Sequence, residues 1–314
     1  MTKQDQIFSS KTLSYFLQLT ETMNYTQAAQ LLGITQPALT QQIKKLEHAV
    51  GAQLFYSVGK KLHLSEAGKT MLVTVKQIYS LLNEATDAIQ QDSSADRGKI
   101  TIGMLSSIDS SVIGNFISHY YNLHPNVEVS LYMFSRKEIW DSLENNQIDL
   151  AIMYLPDENI KNWHPYASKK INDESLLFLH HAHTNRTSIT FKEALANPWV
   201  TYPKGYYLEQ LIEEAFRNQM VDLPKSAASF STPFQLIRFA KQSNVDTALP
   251  ASFYCSHRDS IDLEALPFTP AINFELSFVY RKDKITIPRI SSFMQAFDKY
   301  LTVKDYNTRL YEEF

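Results

Sequence analysis

The chain has 314 residues, 44% of them hydrophobic and 20% charged, with a formal net charge of −3. This length predicts two or more domains with sizeable cores, and the composition is that of an ordinary globular protein. The small negative charge argues against a general polyelectrolyte binder of nucleic acid, and no apolar run approaches the roughly 20 residues that cross a bilayer.

The first residues and the cysteine content indicate a compartment. Residues 1–16 show no apolar stretch followed by a small-residue cleavage site, so no signal peptide is predicted. Cys255 is the one cysteine, which excludes a disulfide within the chain and agrees with a reducing compartment. We therefore expect a soluble, cytoplasmic protein without membrane attachment.

Residues 10–48 predict three helices that share one core. The first spans residues 10–22, and the second spans Thr26–Leu32. Gly33 then stands where a helix end favours a residue that tolerates positive φ. Two short helices joined by so tight a turn are typical of a helix-turn-helix, a DNA-binding motif.

The third predicted helix would enter the major groove. Thr35 is a plausible N-cap, and Pro37 falls in the first turn, where a missing N–H costs little. Helical spacing predicts that it buries Ala38, Leu39, Ile43 and Leu46. Its other face carries Gln36, Thr40, Gln41, Lys44 and Lys45. Amides and hydroxyls suit base edges, adenine above all, and lysines neutralise phosphates, so we expect base contacts from Gln36, Thr40 and Gln41.

A hairpin is predicted after this helix. Two short extended pieces flank Gly59, Lys60 and Lys61 between residues 53 and 64. Beside a helix-turn-helix such a hairpin is a wing, and Lys60 and Lys61 would lie along the DNA backbone or in the minor groove. From Thr35 to Leu64 the formal charge is +3, which favours a local DNA-binding module.

A long helix, from about Glu66 to Gln90, is predicted after a cap at Ser65. Its apolar residues recur at spacings of three and four: Ala67, Met71, Leu72, Val75, Ile78, Leu81, Leu82, Ala85 and Ile89. Such a seam favours pairing with a second copy of the chain, and the alternative is packing within its own domain.

The remaining sequence alternates strands with helices after a polar hinge at residues 91–99. The first set is predicted as a strand, helix, strand, helix and strand at Ile100–Leu105, Ser110–Leu123, Val127–Phe134, Lys137–Asn145 and Asp149–Met153, which implies a parallel sheet. A second set follows between residues 174 and 267. The strand Phe274–Val279 and a helix near Arg289–Leu301 would return to the first sheet. This pattern predicts a two-lobed α/β domain with a ligand cleft at the strand ends.

Polar side chains follow several of these strands. They are Ser106, Ser107, Ser135, Tyr154, Thr201, Tyr202, Pro203 and Thr232. Hydroxyls beside the free N–H groups of helix N-termini form ready anion sites, which predicts a small polar or anionic effector. The alternative is that the hydroxyls only cap helices.

Other chemistry is weakly supported. The histidines His180, His181 and His183 could suggest a metal, and the last two would share one face of a strand. A third ligand and a nearby carboxylate are not evident in the sequence, so no metal site is predicted. Cys255 has no partner cysteine, which favours an inert thiol over a redox sensor. No nucleophile elbow, phosphate loop or zinc spacing is found, so we expect neither an enzyme nor a cofactor.

At this point the chain resembles the LysR-type transcriptional regulators. The resemblance rests on Phe16, Ala28, Ala29, Leu32, Gln36, Pro37, Ala38, Thr40, Ile43, Leu46, Glu47, Gly51, Leu54, Phe55, Leu64, Glu66, Ala67 and Gly68. Weaker echoes follow at Ile102-Gly103, His124-Pro125, 149–152 and Leu249-Pro250.

The resemblance implies an N-terminal all-α winged helix-turn-helix (1–66), a long linker and dimerisation helix (67–92) and an effector-binding domain (93–314). That domain would resemble type 2 periplasmic binding proteins, with lobes at about 99–165 plus 268–302 and at 166–267. It also implies homotetramers on promoter DNA, a small-molecule effector near Ser107, Ser135 and Tyr202–Pro203, and RNA polymerase as a further candidate partner.

The sequence departs from the family in its arginines. Ser57 stands where members usually carry an arginine after the Leu-Phe pair, and residues 1–92 contain none. Arginine is the usual reader of guanine, so we expect an A·T-rich site. Tyr154 stands where some relatives use an arginine for a carboxylate. The alternative function is a solute-binding protein or enzyme built on the two-lobed half, which the helix-turn-helix and the missing signal peptide disfavour.

Overall fold

The computed structural model describes residues 8–59, 61–90, 95–157, 163–181 and 186–311. The chain divides into two compact units, residues 1–85 and 86–314. Within the described ranges, no helix has both the length and the apolar content that a membrane span requires.

The N-terminal unit contains the predicted three helices, the hairpin and most of the predicted long helix, which runs past residue 85. In order they are α1 (Ser10–Thr22), α2 (Tyr25–Leu31), α3 (Gln36–Val50), β1 (Phe55–Val58), β2 (Lys61–Leu64) and α4 (Glu66–Gln90). The predicted bounds of α1 and α4 are confirmed, as is the turn between α2 and α3, where Gly33 has a φ of +64°.

Local capping explains where these helices begin. Asn24 Oδ1 accepts the N–H groups of Thr26 and Gln27 at 2.9 and 3.2 Å and so caps α2. Thr35 holds the N-cap position of α3 as predicted, but its side chain makes no capping hydrogen bond. Ser65 Oγ accepts the N–H of Gly68 at 2.9 Å, which confirms the predicted cap of α4.

The buried face of α3 is narrower than predicted. Leu39, Ile43 and Leu46 are fully buried, but Ala38 is exposed. Ala38 lies about 100° around the helix from Leu39, outside the stripe that faces α1 and α2. The prediction for Ala38 was therefore wrong, and the exposed face of α3 is correspondingly wider.

The wing packs tightly on the long helix. β1 and β2 pair antiparallel, with Val58 opposite Lys61. A Cβ on Gly68 would lie 2.1 Å from the Leu54 carbonyl oxygen, so only glycine allows α4 to approach the start of the wing this closely. Glu47 Oε1 accepts the Leu54 N–H at 2.8 Å and thereby ties α3 to the wing.

The apolar seam of α4 has two parts. Val75 is buried in the N-terminal core, and Tyr79 Oη donates to the Ser10 carbonyl oxygen at 3.1 Å. Farther along, Leu81 and Ile89 are 65% and 78% exposed. Packing within the domain thus covers the first turns, and pairing with a second copy stays a prediction for the rest.

The C-terminal unit begins with a parallel sheet, as predicted. Its first elements are β3 (Gly98–Leu105), α5 (Ser111–Leu123), β4 (Val127–Phe134), α6 (Arg136–Glu144) and β5 (Leu150–Leu155). β3 pairs in parallel with both β4 and β5. The strand starts within the predicted hinge, of which residues 91–94 lie outside the described residues.

One long strand, β6 (Tyr166–His180), belongs to both lobes. The next elements are β7 (Ile189–Thr190), β8 (Trp199–Thr201), α7 (Tyr207–Asn218), β9 (Ser226–Ser229), α8 (Pro233–Ser243), β10 (Thr247–Pro250), α9 (Ala251–His257), β11 (Glu264–Thr269) and β12 (Asn273–Arg281). Residues 166–175 of β6 pair with β12, and residues 176–180 pair with β10 and β11. The prediction that this strand starts at Glu174 was therefore wrong.

The main sheet has the order β4-β3-β5-β12-β6-β11-β7, with β10 also paired to β6, and β8 and β9 form a separate parallel pair. The chain ends with α10 (Pro288–Val303) and α11 (Tyr306–Arg309). The predicted return of α10 to the first sheet is confirmed, because Phe293 and Phe297 contact Phe116 of α5 at 5.0 and 4.9 Å between ring centroids. Neither β7, α9 nor α11 was predicted.

Candidate functional site

The exposed face of α3 carries the residues predicted to contact DNA. Gln36, Gln41, Lys44 and Lys45 are exposed, and Thr40 is half-buried. Gln36 Nε2 donates to Thr40 Oγ1 at 2.9 Å. This hydrogen bond uses one N–H of the amide. The amide oxygen can still accept from the N6 amino group of adenine, and the second N–H can still donate to N7.

The start of α3 and the wing complete this face. Thr35 and Pro37 are exposed, and the first turn of α3 carries no acidic residue. Because the Thr35 hydroxyl caps nothing, it and the free N–H groups of the first turn remain for a phosphate. Lys61 is exposed on β2, and Lys60 lies outside the described residues.

The outer face of the wing holds side chains that sequence reasoning missed. Tyr56 and His63 are cross-strand partners whose rings stack at 5.6 Å and 27°. Val58 is on the same face and 60% exposed, opposite Lys61. The period-two alternation of the hairpin is the signal that would have placed them together. This face can offer a phosphate backbone an aromatic ring, an imidazole and an ammonium group.

In the C-terminal unit, a cavity of about 250 Å³ lies between the lobes. Its first-lobe wall follows β3 and β4, and its second-lobe wall leads into α7. We call it the interlobe cavity; its lining consists of Leu105, Ser106, Ser107, Phe134, Ser135, Arg136, Lys137, Tyr202 and residues 204–208. Of the predicted effector residues it therefore gathers Ser106, Ser107, Ser135 and Tyr202.

The other predicted effector residues lie elsewhere. Thr232 lines a neighbouring cavity of about 610 Å³ that shares Ser106 with the interlobe cavity. Thr201 and Pro203 are absent from the described lining of both cavities. Tyr154 is fully buried, and its Oη donates to the Ser107 carbonyl oxygen at 3.3 Å. Every residue of β5 is buried, so Tyr154 supports the loop after β3 and does not face the cavity.

Both predicted helix N-termini are occupied by groups of the chain itself. Ser135 Oγ accepts the N–H of Glu138 at 3.4 Å, and Glu138 Oε2 accepts the N–H of Ser135 at 2.7 Å. Ser135 thus caps α6, as the alternative interpretation held, although its hydroxyl proton can still be donated. At α5, Asp109 Oδ1 accepts the N–H of Ser111 at 2.9 Å. The Asp109 carboxylate therefore occupies the N-terminal end of α5, and effector binding by Ser106 and Ser107 stays a prediction that depends on their hydroxyls.

Positive charge reaches the interlobe cavity from side chains instead. Arg136, Lys137 and Lys204 line it, and its described lining contains no Asp or Glu. Arg136 Nη1 lies 3.6 Å from Oδ1 of the buried Asp157, and its Nη2 donates to the Gly205 carbonyl oxygen at 3.4 Å. Sequence reasoning considered only hydroxyls at the strand ends, although Arg136 and Lys137 directly follow Ser135.

Two phenols beside the cavity have buried oxygens. The hydroxyls of Tyr202 and Tyr207 have no hydrogen-bond partner among the described residues. Burial raises the pKa of both phenols well above 10, so they remain neutral donors at physiological pH. An unpaired buried donor is costly, so a bound group or water that reached either oxygen would be stabilised.

The histidines and the cysteine are accounted for by protein contacts. His181 Nε2 lies 2.7 Å from the Ala240 carbonyl oxygen, and His180 Nε2 lies 3.1 Å from Glu264 Oε2. His183 lies outside the described residues. Cys255 is half-buried beside the larger neighbouring cavity.

Two family models match the chain. The model described as "LysR substrate binding domain" matches residues 93–302. The model described as "Bacterial regulatory helix-turn-helix protein, lysR family" matches residues 10–69. One match lies in each of the two compact units.

Curated relatives are similar over part of the chain. An uncharacterised HTH-type transcriptional regulator of Bacillus subtilis, YybE, is 28% identical over 207 residues, which is 65% of this chain and 70% of the relative. The HTH-type transcriptional regulator CfxR of Cupriavidus necator is 30% identical over 148 residues, which is 47% of this chain and 46% of that protein.

Solved structures share the fold over nearly the full length. Full-length CbnR in complex with its target DNA is 18% identical, with a TM-score of 0.63, and the match covers 93% of this chain and 99% of CbnR. A full-length OxyR variant from Pseudomonas aeruginosa is 19% identical, with a TM-score of 0.62 and coverage of 98% and 99%.

Proposed function

The chain belongs to the LysR family of bacterial transcriptional regulators, and from this premise we propose that α3 and the wing bind promoter DNA under the control of a small molecule in the interlobe cavity. Matches to both a DNA-binding and an effector-binding model set aside the alternative of a solute-binding protein or an enzyme.

The observation that carries the DNA-binding proposal is the exposed face of α3. Its amides and lysines are exposed, the first turn of α3 has no acidic residue, and Gln36 Nε2 donates to Thr40 Oγ1. Because residues 1–92 contain no arginine, bidentate guanine readout by arginine is not available to this unit. An operator whose half-sites are rich in A·T pairs follows.

The interlobe cavity supports an effector that is small and polar or anionic. Its volume of about 250 Å³ is small for a ligand pocket, and its hydroxyls and cationic side chains offer hydrogen bonds and charge. The residues proposed to hold the effector are Ser106, Ser107, Ser135, Arg136, Lys137, Tyr202 and Lys204.

The proposed assembly, compartment and partners follow from membership of the LysR family. The exposed part of the α4 seam supports a homodimer through this helix. Membership of the LysR family supports the homotetramer on DNA that the sequence resemblance implies. We place this regulator in the cytoplasm, where promoter DNA is found. RNA polymerase is the protein partner proposed to respond to the bound regulator.

Fluorescence anisotropy with labelled DNA from upstream of the protein's own gene tests this function. We expect binding at low salt, tighter than to a random duplex of equal length, with an affinity that falls steeply as salt rises. Equal binding to both duplexes would contradict sequence recognition, and no binding at low salt would contradict the proposed function as a whole.

A further inference from the structure

The two walls of the interlobe cavity carry charge of the same sign. Arg136 and Lys137 extend from the first lobe, at the start of α6, and Lys204 extends from the second lobe, just before α7. No acidic side chain stands between them in the described lining. Such like charges repel across a cleft, so without a ligand they oppose the approach of the lobes.

Internal pairing leaves one cation on each wall. The charge of Arg136 is offset by Asp157, whose carboxylate is fully buried 3.6 Å away. Lys137 and Lys204, by contrast, form no ion pair within the part of the chain that the structure describes. Glu209 of the second lobe interacts electrostatically with Lys204, but it lies outside the cavity lining, and its carboxylate accepts the Gly205 N–H at 3.2 Å.

From this arrangement we infer that the effector is a compact dianion whose two negative charges join Lys137 to Lys204 and draw the lobes together. This inference rests on the proposed function and specifies the chemistry of its effector. A monoanion neutralises one wall only and leaves the other cation unpaired. A dianion satisfies both and exchanges repulsion for two attractive contacts.

The remaining lining fits the body of such a ligand. The hydroxyls of Ser106, Ser107 and Ser135 come from the first lobe, and the loop at Lys204–Gly205 comes from the second. The volume of about 250 Å³ admits a short α,ω-dicarboxylate or a small phosphate monoester. Both classes supply two negative charges, and they differ in whether these charges lie at opposite ends of the molecule.

A contact that would tighten on closure already joins the lobes. Arg136 Nη2 of the first lobe reaches the Gly205 carbonyl oxygen of the second at 3.4 Å, which is long for a hydrogen bond. Gly205 has a φ of +87°, a conformation that favours glycine, and this turn aims its carbonyl at Arg136. Lobe closure would shorten the Arg136–Gly205 bond at the same time as the ligand bridges the lysines.

Thermal unfolding of the full-length protein tests the inference at constant ionic strength. One arm compares C3–C6 dicarboxylates with their monoamides and diamides, and the other compares glycerol 3-phosphate with glycerol. We expect at least one dianion to raise the Tm at 10 mM, with an apparent affinity at least ten-fold higher than that of its matched monoanion or neutral compound. No stabilisation by any dianion, or equal stabilisation by the matched compounds, overturns the inference.

Lysine variants locate the effect. Lys137→Gln and Lys204→Gln should each remove the preference for the dianion, whereas Lys192→Gln, which changes an exposed lysine of the second lobe outside the cavity, should retain it. Retention of the preference in both cavity variants would overturn the inference. Promoter binding by the wild type in the absence of any compound is scored separately, so failure of the effector class is distinguished from failure of DNA binding.

A variant without ligand gives an independent test. Lys204→Glu places a carboxylate opposite Lys137 and so supplies one half of the bridge. We expect amide hydrogen exchange in the first-lobe wall, residues 105–107 and 134–137, to slow at least three-fold without ligand, and the variant to lose its response to dianions. Unchanged exchange in this wall would contradict charge repulsion as the force that opposes closure.

Discussion

Arg136 Nη2 donates to the carbonyl oxygen of Gly205 at 3.4 Å, and this hydrogen bond crosses from the first lobe to the second. The same guanidinium lies 3.6 Å from the buried Asp157 carboxylate, whose other oxygen accepts Trp140 Nε1–H at 2.9 Å. Arg136 thus belongs at once to the core of the first lobe, to the wall of the interlobe cavity and to the link between lobes.

Replacing this arginine should cost stability as well as effector response. Arg136→Met removes the cation beside a fully buried carboxylate, and we expect a loss of about 1–3 kcal/mol in the free energy of unfolding. For a unit of this size, that corresponds to a fall in Tm of about 2–4 °C per kcal/mol. Differential scanning calorimetry measures both.

The matched control is Arg217→Met. Arg217 Nη2 lies only 2.8 Å from Glu213 Oε2, but its side chain is 69% exposed, so solvent screens the pair. We expect a change within about 0.5 kcal/mol. Equal losses in the two variants would show that the contribution of Arg136 to the free energy of unfolding does not depend on the burial of Asp157.

Base recognition by α3 predicts a loss that depends on sequence. Gln36→Ala removes the amide that Thr40 orients at 2.9 Å, and we expect operator affinity to fall about 5- to 150-fold, the range of 1–3 kcal/mol for one bidentate base contact. Affinity for random DNA should change little. Anisotropy titrations on both duplexes measure this ratio.

Two further variants separate base contacts from phosphate contacts. Lys45→Gln should weaken binding to both duplexes alike and reduce the salt slope by about one unit, because one phosphate contact is lost. Gln77→Ala, at an exposed glutamine of α4, should leave both affinities unchanged. An equal loss on operator and random DNA for Gln36→Ala would mean that Gln36 does not read bases.

The exposed seam of α4 predicts dependence on self-association. The double change Leu81→Asp and Ile89→Asp places charges at positions that are 65% and 78% exposed in the single chain, so its folding is expected to survive. Sedimentation velocity should show loss of the dimer, and operator affinity should fall more than about ten-fold because two linked half-sites are no longer engaged together. Gln77→Asp, beside the seam, should keep the wild-type mass.

The raised pKa of the buried Asp246 predicts that the stability of the fold depends on pH. Burial raises the pKa of its carboxyl to about 6 from the ordinary 3.8, although Asn197 Nδ2 lies 3.3 Å from Oδ2. The folded state therefore binds more protons than the unfolded state between these values, and the stability contributed by this group falls as pH rises through that window. In Asp246→Asn this dependence is absent, so the Tm of wild type relative to the variant should fall from pH 4 to pH 6 and then level off.

Asp262→Asn, at an exposed acid of the second lobe, provides the control for that titration. The Tm of wild type relative to Asp262→Asn should not show the fall that is expected relative to Asp246→Asn. A difference between wild type and Asp246→Asn that stays constant across the whole pH range would contradict the raised pKa.

Periodicity predicted the N-terminal unit closely because local signals there agree with packing. Asn24, Ser65 and the left-handed Gly33 mark helix boundaries, and α4 has the predicted bounds. The exception was Ala38, for which helical spacing predicted burial but which is exposed because it lies at the edge of the apolar stripe of α3.

Prediction was weaker where partners distant in sequence determine the structure. The first half of β6 is polar, and its strand character comes from pairing with β12 about a hundred residues later. For the same reason the cations of the interlobe cavity were missed, because Lys204 meets Arg136 and Lys137 only through the arrangement of the lobes. Ser106, Ser107 and Ser135, which follow the strands, line the interlobe cavity, and their part in effector binding stays a prediction. Tyr154 instead donates to the Ser107 carbonyl oxygen, a contact that its place after a strand did not indicate.

The most direct test joins the two units in one measurement. Anisotropy of labelled upstream DNA is recorded with full-length protein while the dianion that raises the Tm is titrated, in wild type and in Lys204→Gln. We expect the wild type to bind DNA in a salt-dependent manner and to change its affinity or its bound anisotropy as the dianion saturates, and the variant to bind DNA without that response. DNA binding that is identical at every dianion concentration in the wild type would contradict effector control through this cavity.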